Sequence, residues 1–316
     1  MKSSWHYMAS VGSSTSTDNV KLAISAIIFA VFSLSLGDAI IKSISVSFPL
    51  WQLYVLRSVI AIPLLLLFIK WRRPDLKLLP KAIGWVLLRS FFMAAMLATY
   101  YIALPHLQLS VAAAAYNTLP LFIILLSAII LRQKIQPIGW FAIGLGFVGV
   151  LFLLRPTIDG FNLYALLPLF GAVLHASAML LTRTKCKNEN PLILTLFINY
   201  MFIAIGASVS LSLLALNLPQ EVVGVNEFLL SGWVQIGLIE IIALVILATT
   251  ILVGNIFGAI GYQIASPHIV APFDYFYLIF SVLWGVLFFS EFPNTSTIIG
   301  MILITSAGLI TIRQKS

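Results

Sequence analysis

The stretch LWQLYVLRSVIAIPLLLLFIK, residues 50–70, decides the fold of this chain. It is mostly apolar and about as long as an α-helix must be to cross the hydrocarbon core of a bilayer. The segment that follows it, WRRPDLKLLPK at residues 71–81, is rich in Lys and Arg. A long apolar run that ends in a basic cluster is typical of a membrane-spanning helix whose end faces the cytoplasm.

Similar apolar runs recur along the chain, and together they predict an all-α polytopic membrane protein with ten transmembrane helices. The composition agrees, because 61% hydrophobic residues, 9% charged residues and a mean hydropathy of +1.07 exceed what a water-soluble chain of 316 residues could bury. The eighth span is longer than a bilayer needs, so it has room for an interfacial segment or a kink at Gly254. The predicted spans lie near residues 22–43, 50–70, 82–103, 110–131, 138–154, 162–184, 192–213, 236–265, 268–290 and 297–312.

The basic residues indicate how these spans are oriented. Fourteen of the 18 Lys and Arg residues lie near the chain ends or in alternate gaps between spans, whereas the other gaps carry only Arg155. By the positive-inside rule both termini are cytoplasmic, which agrees with an even number of spans. The gap between spans eight and nine is the weak point, since it should be cytoplasmic and yet has no Lys or Arg. The net charge of +8 thus belongs to membrane loops, and we expect a lipid bilayer rather than nucleic acid as the partner.

Residues 1–21 are rich in Ser and Thr and lack the apolar core of a signal peptide. We expect them to form a disordered cytoplasmic tail.

The motifs of several other functions are missing. The single cysteine, Cys186, excludes an intramolecular disulfide and a thiolate metal cluster. The four histidines are scattered, and the chain has no phosphate-binding loop and no nucleophile elbow. We therefore expect no enzyme activity, no cofactor and no ATP-driven transport, with an integral-membrane enzyme as the remaining rival class. A channel is disfavoured because no filter sequence is present.

The two halves of the chain show a faint internal similarity. At an offset of 159 residues, VAAAAY at 111–116 aligns with VAPFDY at 270–275. The loops that follow differ in charge, since Arg132 in the first half corresponds to Glu291 in the second. Five spans per half would place the halves upside down relative to each other, and the difference in loop charge fits opposite sides of the membrane.

The second-half stretch SPHIVAPFDY at 266–275, followed by WGVLFFSEFP at 284–293, resembles the EamA-type repeat of the drug/metabolite transporter superfamily. The resemblance implies one EamA repeat at 22–156 and another at 162–312, each of five helices. The two repeats would surround a central cavity and work by alternating access. Glu291 stands where the family has the acid of its Gly-Glu loop, but Ser290 replaces the usual Gly.

The resemblance also implies a function. It points to a secondary active transporter of small organic metabolites, such as amino acids or amino-acid-derived and cofactor-like solutes, in the inner membrane of a bacterium. The segments at 271–275 and 291–293 are most similar to S-adenosylmethionine carriers, so uptake or exchange of such a metabolite is the alternative. Gly144, Gly149 and Gly300 allow either close helix packing or a dimer face, and we expect a monomer or a homodimer.

Ionisable residues inside a span are costly, so each is a functional candidate. Asp38 and Lys42 lie four residues apart on span one and are expected to pair, with Lys42 reaching the outer interface. Arg89 and Asp274 lie at similar depth from the inner side. A pair between them would gate the cycle, bridge the helices permanently or bind substrate or a proton. Arg57 lies about two turns below the outer surface in span two.

His175, near the middle of span six, could carry a coupling proton or bind substrate, and a neutral histidine bonded to another helix is the alternative. If transport is coupled to protons, Asp38, His175 or Asp274 would carry them. Several uncharged polar and aromatic residues at central depth suit a solute with polar and planar parts, although each alone could simply pack. These cavity-lining candidates are Tyr116, Asn117, Asn255, Tyr262, Tyr275 and Tyr277.

Overall fold

The structure is a computed structural model, and it describes residues 17–45, 48–132, 134–154, 162–265 and 270–313. This part of the chain is helical, with short connections. The α-helices are α1 (Thr17–Ile44), α2 (Leu50–Arg72), α3 (Ile83–Ala103), α4 (Leu109–Tyr116), α5 (Leu119–Leu131), α6 (Pro137–Leu154), α7 (Leu166–Thr184), α8 (Pro191–Leu216), α9 (Gln220–Val223), α10 (Glu227–Leu230), α11 (Leu238–Ile264), α12 (Phe276–Phe289) and α13 (Thr295–Arg313). Short 3-10 helices lie at Leu104–His106, Leu163–Ala165 and Ala271–Tyr275.

Ten apolar helical segments confirm the predicted fold class. In the described residues, nine segments are long and apolar enough to cross a membrane, and Thr295–Ile310 of α13 is a shorter tenth. We call the side of the gaps rich in Lys and Arg the inner side, and the opposite side the outer side.

Several element boundaries differ from the prediction. Helix α1 begins at Thr17, so the end of the expected disordered tail is helical, and residues 1–16 lie outside the described part. Predicted span four consists of two helices, α4 and α5. Residues 266–269, at the start of predicted span nine, lie outside the described part of the chain. The described part of this span includes the 3-10 helix at Ala271–Tyr275.

The long apolar stretch of span eight contains an outer segment ahead of its helix. Helix α11 starts at Leu238, and the preceding residues 231–237 are not helical. The Gln52 side chain at the outer end of α2 both donates to and accepts from the main chain of Val234, each at 2.9 Å. The Trp51 indole donates to the Leu229 carbonyl at 2.8 Å. These bonds satisfy the main-chain groups of Val234 and the Leu229 carbonyl, and they fasten this outer stretch to the end of α2.

The helices pack in pairs that reflect the expected inversion. Helix α1 packs against α11, α3 against α7, α2 against α8, and α6 against α13. Suppose that each span is exchanged for the span five places before or after it in the chain. The α1–α11 pair then becomes the α7–α3 pair, and the α2–α8 and α6–α13 pairs remain the same. Two five-helix repeats related by a two-fold axis would give this pattern, and their inversion and boundaries stay a prediction.

Close approach of α6 and α13 depends on two glycines. A Cβ atom on Gly149 would lie 3.0 Å from the Gly300 carbonyl oxygen, and one on Gly300 would lie 2.8 Å from the Gly149 carbonyl oxygen. A Cβ atom on Gly144, in the same helix, would meet nothing within 4 Å. Gly149 and Gly300 therefore pack helices within one chain, which was one of the two roles expected for them.

Candidate functional site

Two interrupted spans place polar side chains in the middle of the bundle. Pro120 has no N–H to donate to the Tyr116 carbonyl, so the hydrogen-bond ladder stops between α4 and α5. There the Asn117 amide donates to the Ala113 carbonyl at 2.8 Å. Span nine has a matching change, where the 3-10 helix at Ala271–Tyr275 gives way to α12. Interrupted helices in corresponding places of two halves are where secondary transporters commonly form binding sites.

Asp38 of α1 is bound by a tyrosine of the opposite half. The Tyr277 hydroxyl donates to a carboxylate oxygen of Asp38 and lies 3.0 Å from the Tyr100 hydroxyl. Asp38 is partly buried. A carboxylate has about four lone-pair positions, so a partner that supplies one hydroxyl leaves room for others.

Tyr116 and His175 form a second contact between the halves. The Tyr116 hydroxyl is hydrogen-bonded to His175 Nδ1, and the two rings are stacked with centroids 5.7 Å apart. The Tyr100 ring lies 5.5 Å from that of Tyr116, which joins this contact to the Asp38 site. We call Asp38, Tyr100, Tyr116, His175 and Tyr277 the central polar cluster.

Arg57 of α2 lies beside this cluster in an aromatic setting. Its side chain is buried, with 2% of its surface exposed. The guanidinium carbon is 4.4 Å from the ring centroid of Phe202 and 5.7 Å from that of Tyr54. Its Nη1 donates to the Tyr101 hydroxyl over 3.5 Å. Aromatic faces attract a cation, by about 2 kcal/mol where water is excluded, and so they stabilise Arg57 in part.

Lys42 and Glu291 join the two halves at the outer side of the bundle. The Lys42 ammonium donates to a Glu291 carboxylate oxygen and to the Leu107 carbonyl. The other Glu291 oxygen accepts the Leu109 N–H at 2.8 Å, in the first turn of α4. The ammonium also lies 5.0 Å from the ring centroid of Phe289. We call Lys42, Glu291 and the main chain of Leu107 and Leu109 the outer clamp.

The expected pair between Asp38 and Lys42 is therefore wrong in this structure. Asp38 lies one helical turn deeper than Lys42 and is bound by Tyr277. The long Lys42 side chain extends toward the outer side, and there its ammonium meets the carboxylate of Glu291. Helical spacing shows only partners within a helix, and the partner of Lys42 comes from the other half of the chain.

Ser290 adopts the backbone conformation that aims Glu291 at the clamp. Its φ of 54° and ψ of 32° lie in the left-handed region, as do those of Arg132 at the end of α5. The N–H of Glu291 donates to the Gly285 carbonyl at 3.0 Å and closes the turn. Because glycine adopts this conformation without a steric cost, the geometry explains why Gly is usual at this place in the family that the sequence resembles.

Arg89 joins the halves near the inner side. Its Nε donates to the Thr182 hydroxyl at 2.9 Å, and its Nη1 donates to the Leu194 carbonyl at 3.4 Å. These contacts link α3 to α7 and α8, rather than to Asp274 as the sequence suggested. A pair between Arg89 and Asp274 stays a prediction for another state of the protein.

The other expected cavity residues are only partly brought together. Asn117 lies next to the cluster, at the interruption of span four. Tyr275 is buried in an apolar cluster with Leu278 and Ile304. Asn255 is exposed on α11 and has no recorded part in the central polar cluster, and the side chain of Tyr262 lies outside the described residues.

Sequence reasoning missed two adjacent residues of the site, Tyr100 and Tyr101. A pair of neighbouring tyrosines inside span three was a usable signal, because hydroxyls in a span need partners. Loop charge and the family motif both single out Glu291 in the sequence, but nothing in the sequence identifies Lys42 as its partner.

A cavity of about 760 Å³ opens on the outer side, between the end of α8 and the segment that carries α9 and α10. Its lining includes Ser210, Asn217 and Trp233. It contains no residue of the central polar cluster or the outer clamp, so we do not assign solute binding to it.

Comparison with known proteins finds similarity to transporters. Residues 21–155 match the EamA-like transporter family. A pseudopaline exporter of Pseudomonas aeruginosa is 27% identical over 94% of this chain and 98% of its own length. A riboflavin transporter of Brucella anthropi is 27% identical over 86% of this chain and 89% of its own length.

Two more distant similarities extend these findings. An S-adenosylmethionine uptake transporter of Rickettsia prowazekii is 22% identical over 62% of this chain and 60% of its own length. A solved crystal structure with 18% identity aligns at a TM-score of 0.62 over 95% of this chain and all of that chain, a likeness of fold alone. The first half of the chain thus matches the EamA-like transporter family, and nearly the whole chain is similar to transporters of small metabolites.

Proposed function

We propose that this protein is a secondary active transporter that carries small organic metabolites across the inner membrane of a bacterium by alternating access. The observation that carries the proposal is the central polar cluster. It lies at the interrupted spans, both halves contribute to it, and its hydroxyl, carboxylate, imidazole and ring groups suit an organic solute.

Separate contacts on each side support an alternating mechanism. The outer clamp joins the halves on the outer side. On the inner side, Arg89 bonds to α7 and α8, and Glu189 accepts the N–H of Ala82 at 2.8 Å. Opening the site to one side requires one set of contacts to break while the other set holds.

The relatives narrow the solute class. The names of three of them give pseudopaline, riboflavin and S-adenosylmethionine as solutes, and one protein is an exporter while another is an uptake transporter. We infer an amino-acid-derived or cofactor-like solute, with S-adenosylmethionine-type uptake or exchange as the second candidate. The tyrosine rings of the cluster favour a solute with a planar part.

Transport by purified protein in sealed proteoliposomes tests the proposal. Vesicles preloaded with unlabelled solute should take up the labelled solute, and Asp38→Asn should abolish this exchange because it removes the charged acceptor of the cluster. Gly144→Ala, which changes a position that meets nothing within 4 Å, is the matched control. If no metabolite in a panel of amino acids, S-adenosylmethionine, riboflavin and nucleotides exchanges, the proposal fails for these classes.

Proton coupling is tested in the same vesicles. Asp38 and His175 are titratable groups in the cluster, and a carried proton would make uptake depend on an imposed pH gradient. We expect an uncoupler to abolish accumulation while leaving exchange intact. Uptake that only equalises the solute concentration across the membrane, and that neither the pH gradient nor the uncoupler changes, would instead mean that the solute's own gradient drives transport.

A further inference from the structure

Arg57 carries a charge that its surroundings satisfy poorly. Its side chain is 2% exposed, and within the described residues its recorded polar contact is the Tyr101 hydroxyl at 3.5 Å. That distance is at the long limit of a hydrogen bond. A guanidinium has five N–H donors, so most of its capacity is not used by this contact. Aromatic faces lower the cost of burying the cation but accept no conventional hydrogen bond.

Asp38 carries the opposite charge, and its direct contacts are also with uncharged groups. It accepts from the Tyr277 hydroxyl, while Lys42, the basic residue one turn away, is bound to Glu291. The contacts recorded for the Asp38 carboxylate are therefore with neutral hydroxyls. A charge inside a membrane protein gains most from an opposite charge, because the surrounding dielectric is low.

A pair of adjacent tyrosines lies between these two charges. Tyr101 contacts Arg57, and Tyr100 contacts Tyr277, which in turn binds Asp38. The Tyr100 and Tyr101 ring centroids are 6.0 Å apart. A positive and a negative group thus lie on either side of one tyrosine pair, near enough for their charges to attract each other but, within the described residues, without a direct ion pair between them.

We propose that the solute is a zwitterion of the α-amino-carboxylate kind, with its ammonium at Asp38 and its carboxylate at Arg57. This inference rests on the proposed function and assigns the charged ends of its solute. The guanidinium would exchange the long Tyr101 bond for a bidentate bond to the carboxylate, which is the stronger contact. A neutral zwitterion compensates both buried charges, so the loaded site holds no unpaired charge.

Three probes separate charge recognition from ring recognition. S-adenosylhomocysteine has an α-amino-carboxylate end, 5′-methylthioadenosine has the same nucleoside thioether without that end, and riboflavin is an unrelated ring system. We would measure the binding of each to the full-length detergent-purified protein by calorimetry. The inference predicts that S-adenosylhomocysteine binds at least about tenfold more tightly than 5′-methylthioadenosine, because a charge-assisted contact is worth about 1.5–3 kcal/mol.

Variants then assign each end of the solute. Arg57→Gln and Asp38→Asn should each remove most of the preference for S-adenosylhomocysteine over 5′-methylthioadenosine. Arg57→Lys keeps the charge but lacks the planar fork, so the preference should fall by less. Tyr101→Phe removes the competing hydroxyl from Arg57 and should leave the preference unchanged or raise it. Melting temperatures without ligand show whether each variant is folded.

Each outcome decides the inference. Equal binding of S-adenosylhomocysteine and 5′-methylthioadenosine, or an undiminished preference in folded Arg57→Gln and Arg57→Lys, would overturn it. Binding of riboflavin without binding of S-adenosylhomocysteine would also overturn the inference. The proposed transport function would not fall with it, since riboflavin exchange in vesicles tests that function independently. If none of the three probes binds, the zwitterion assignment is wrong for this site. The proposed function is then tested only by the exchange assays with the panel of metabolites described above.

Discussion

At the scale of residues, the outer clamp depends on the ion pair between two side chains. Lys42 and Glu291 are 9% and 19% exposed, so their pair is screened less than a surface pair. We expect Lys42→Met and Glu291→Gln each to lower the free energy of unfolding by about 1.5–3 kcal/mol, because each leaves a partly buried charge without its partner.

The double variant tests whether these two residues act on each other. Either single change already breaks the ion pair. The double variant Lys42→Met with Glu291→Gln should therefore lose less free energy of unfolding than the sum of the two single losses. Thermal unfolding of the four proteins in one detergent measures the difference. Strictly additive effects would show that the two side chains stabilise the protein separately.

At the scale of elements, the contact between α6 and α13 requires two residues without side chains. We expect Gly149→Ala and Gly300→Ala to destabilise the protein by about 1–3 kcal/mol, since a Cβ atom would press on the facing main chain. Gly144→Ala in the same helix should be neutral or slightly stabilising. Melting temperatures of the three variants would compare them, and an equal effect at Gly144 and Gly149 would contradict the packing described here.

The turn after α12 has a sequence that does not suit its backbone. Ser290 has a φ of 54°, which costs a residue with a side chain about 1 kcal/mol relative to glycine. We therefore expect Ser290→Gly to raise the melting temperature, and Ser290→Val to lower it, because β-branched residues tolerate this conformation least. A melting temperature that falls in Ser290→Gly would mean that the serine hydroxyl makes a compensating contact.

At the scale of the whole molecule, the contacts between the halves must break on one side at a time. Cysteines at positions 42 and 291, introduced as Lys42→Cys with Glu291→Cys in a Cys186→Ser background, would allow a short bis-methanethiosulfonate to join the halves through two reducible disulfides. We expect this cross-link to stop transport, and reduction to restore it, since the outer side could no longer open. The single-cysteine proteins, treated in the same way, are the controls. Full transport by the cross-linked protein would show that the outer clamp does not have to open.

The orientation of the whole chain is a prediction from the placement of Lys and Arg. If both termini lie on the inner side, green fluorescent protein fused to the C-terminus should fluoresce in bacterial cells, and alkaline phosphatase fused there should be inactive. Phosphatase inserted in the outer segment between α9 and α10 should be active. The reverse result would invert the proposed topology.

The sequence alone was enough to predict the spans and their charge bias. Apolar length and the placement of Lys and Arg are local properties, and the bilayer acts on each span separately, so ten helices and their order could be inferred without knowledge of the packing. The resemblance carried by residues 266–275 and 284–293 pointed to EamA-type transporters. Local rules were less successful where a span is interrupted, as between Asn117 and Pro120, because the apolar run continues across the break and does not reveal it.

Only the tertiary structure decided which polar residues meet. Asp38 and Lys42 are neighbours on one helix, yet their partners are Tyr277 and Glu291, each more than 200 residues away along the chain. An inverted pair of repeats brings distant residues to the same depth, and a side chain inside a membrane bonds to whatever polar group reaches it. Charge and hydropathy place a residue along the membrane normal, but the lateral packing of helices selects its partner.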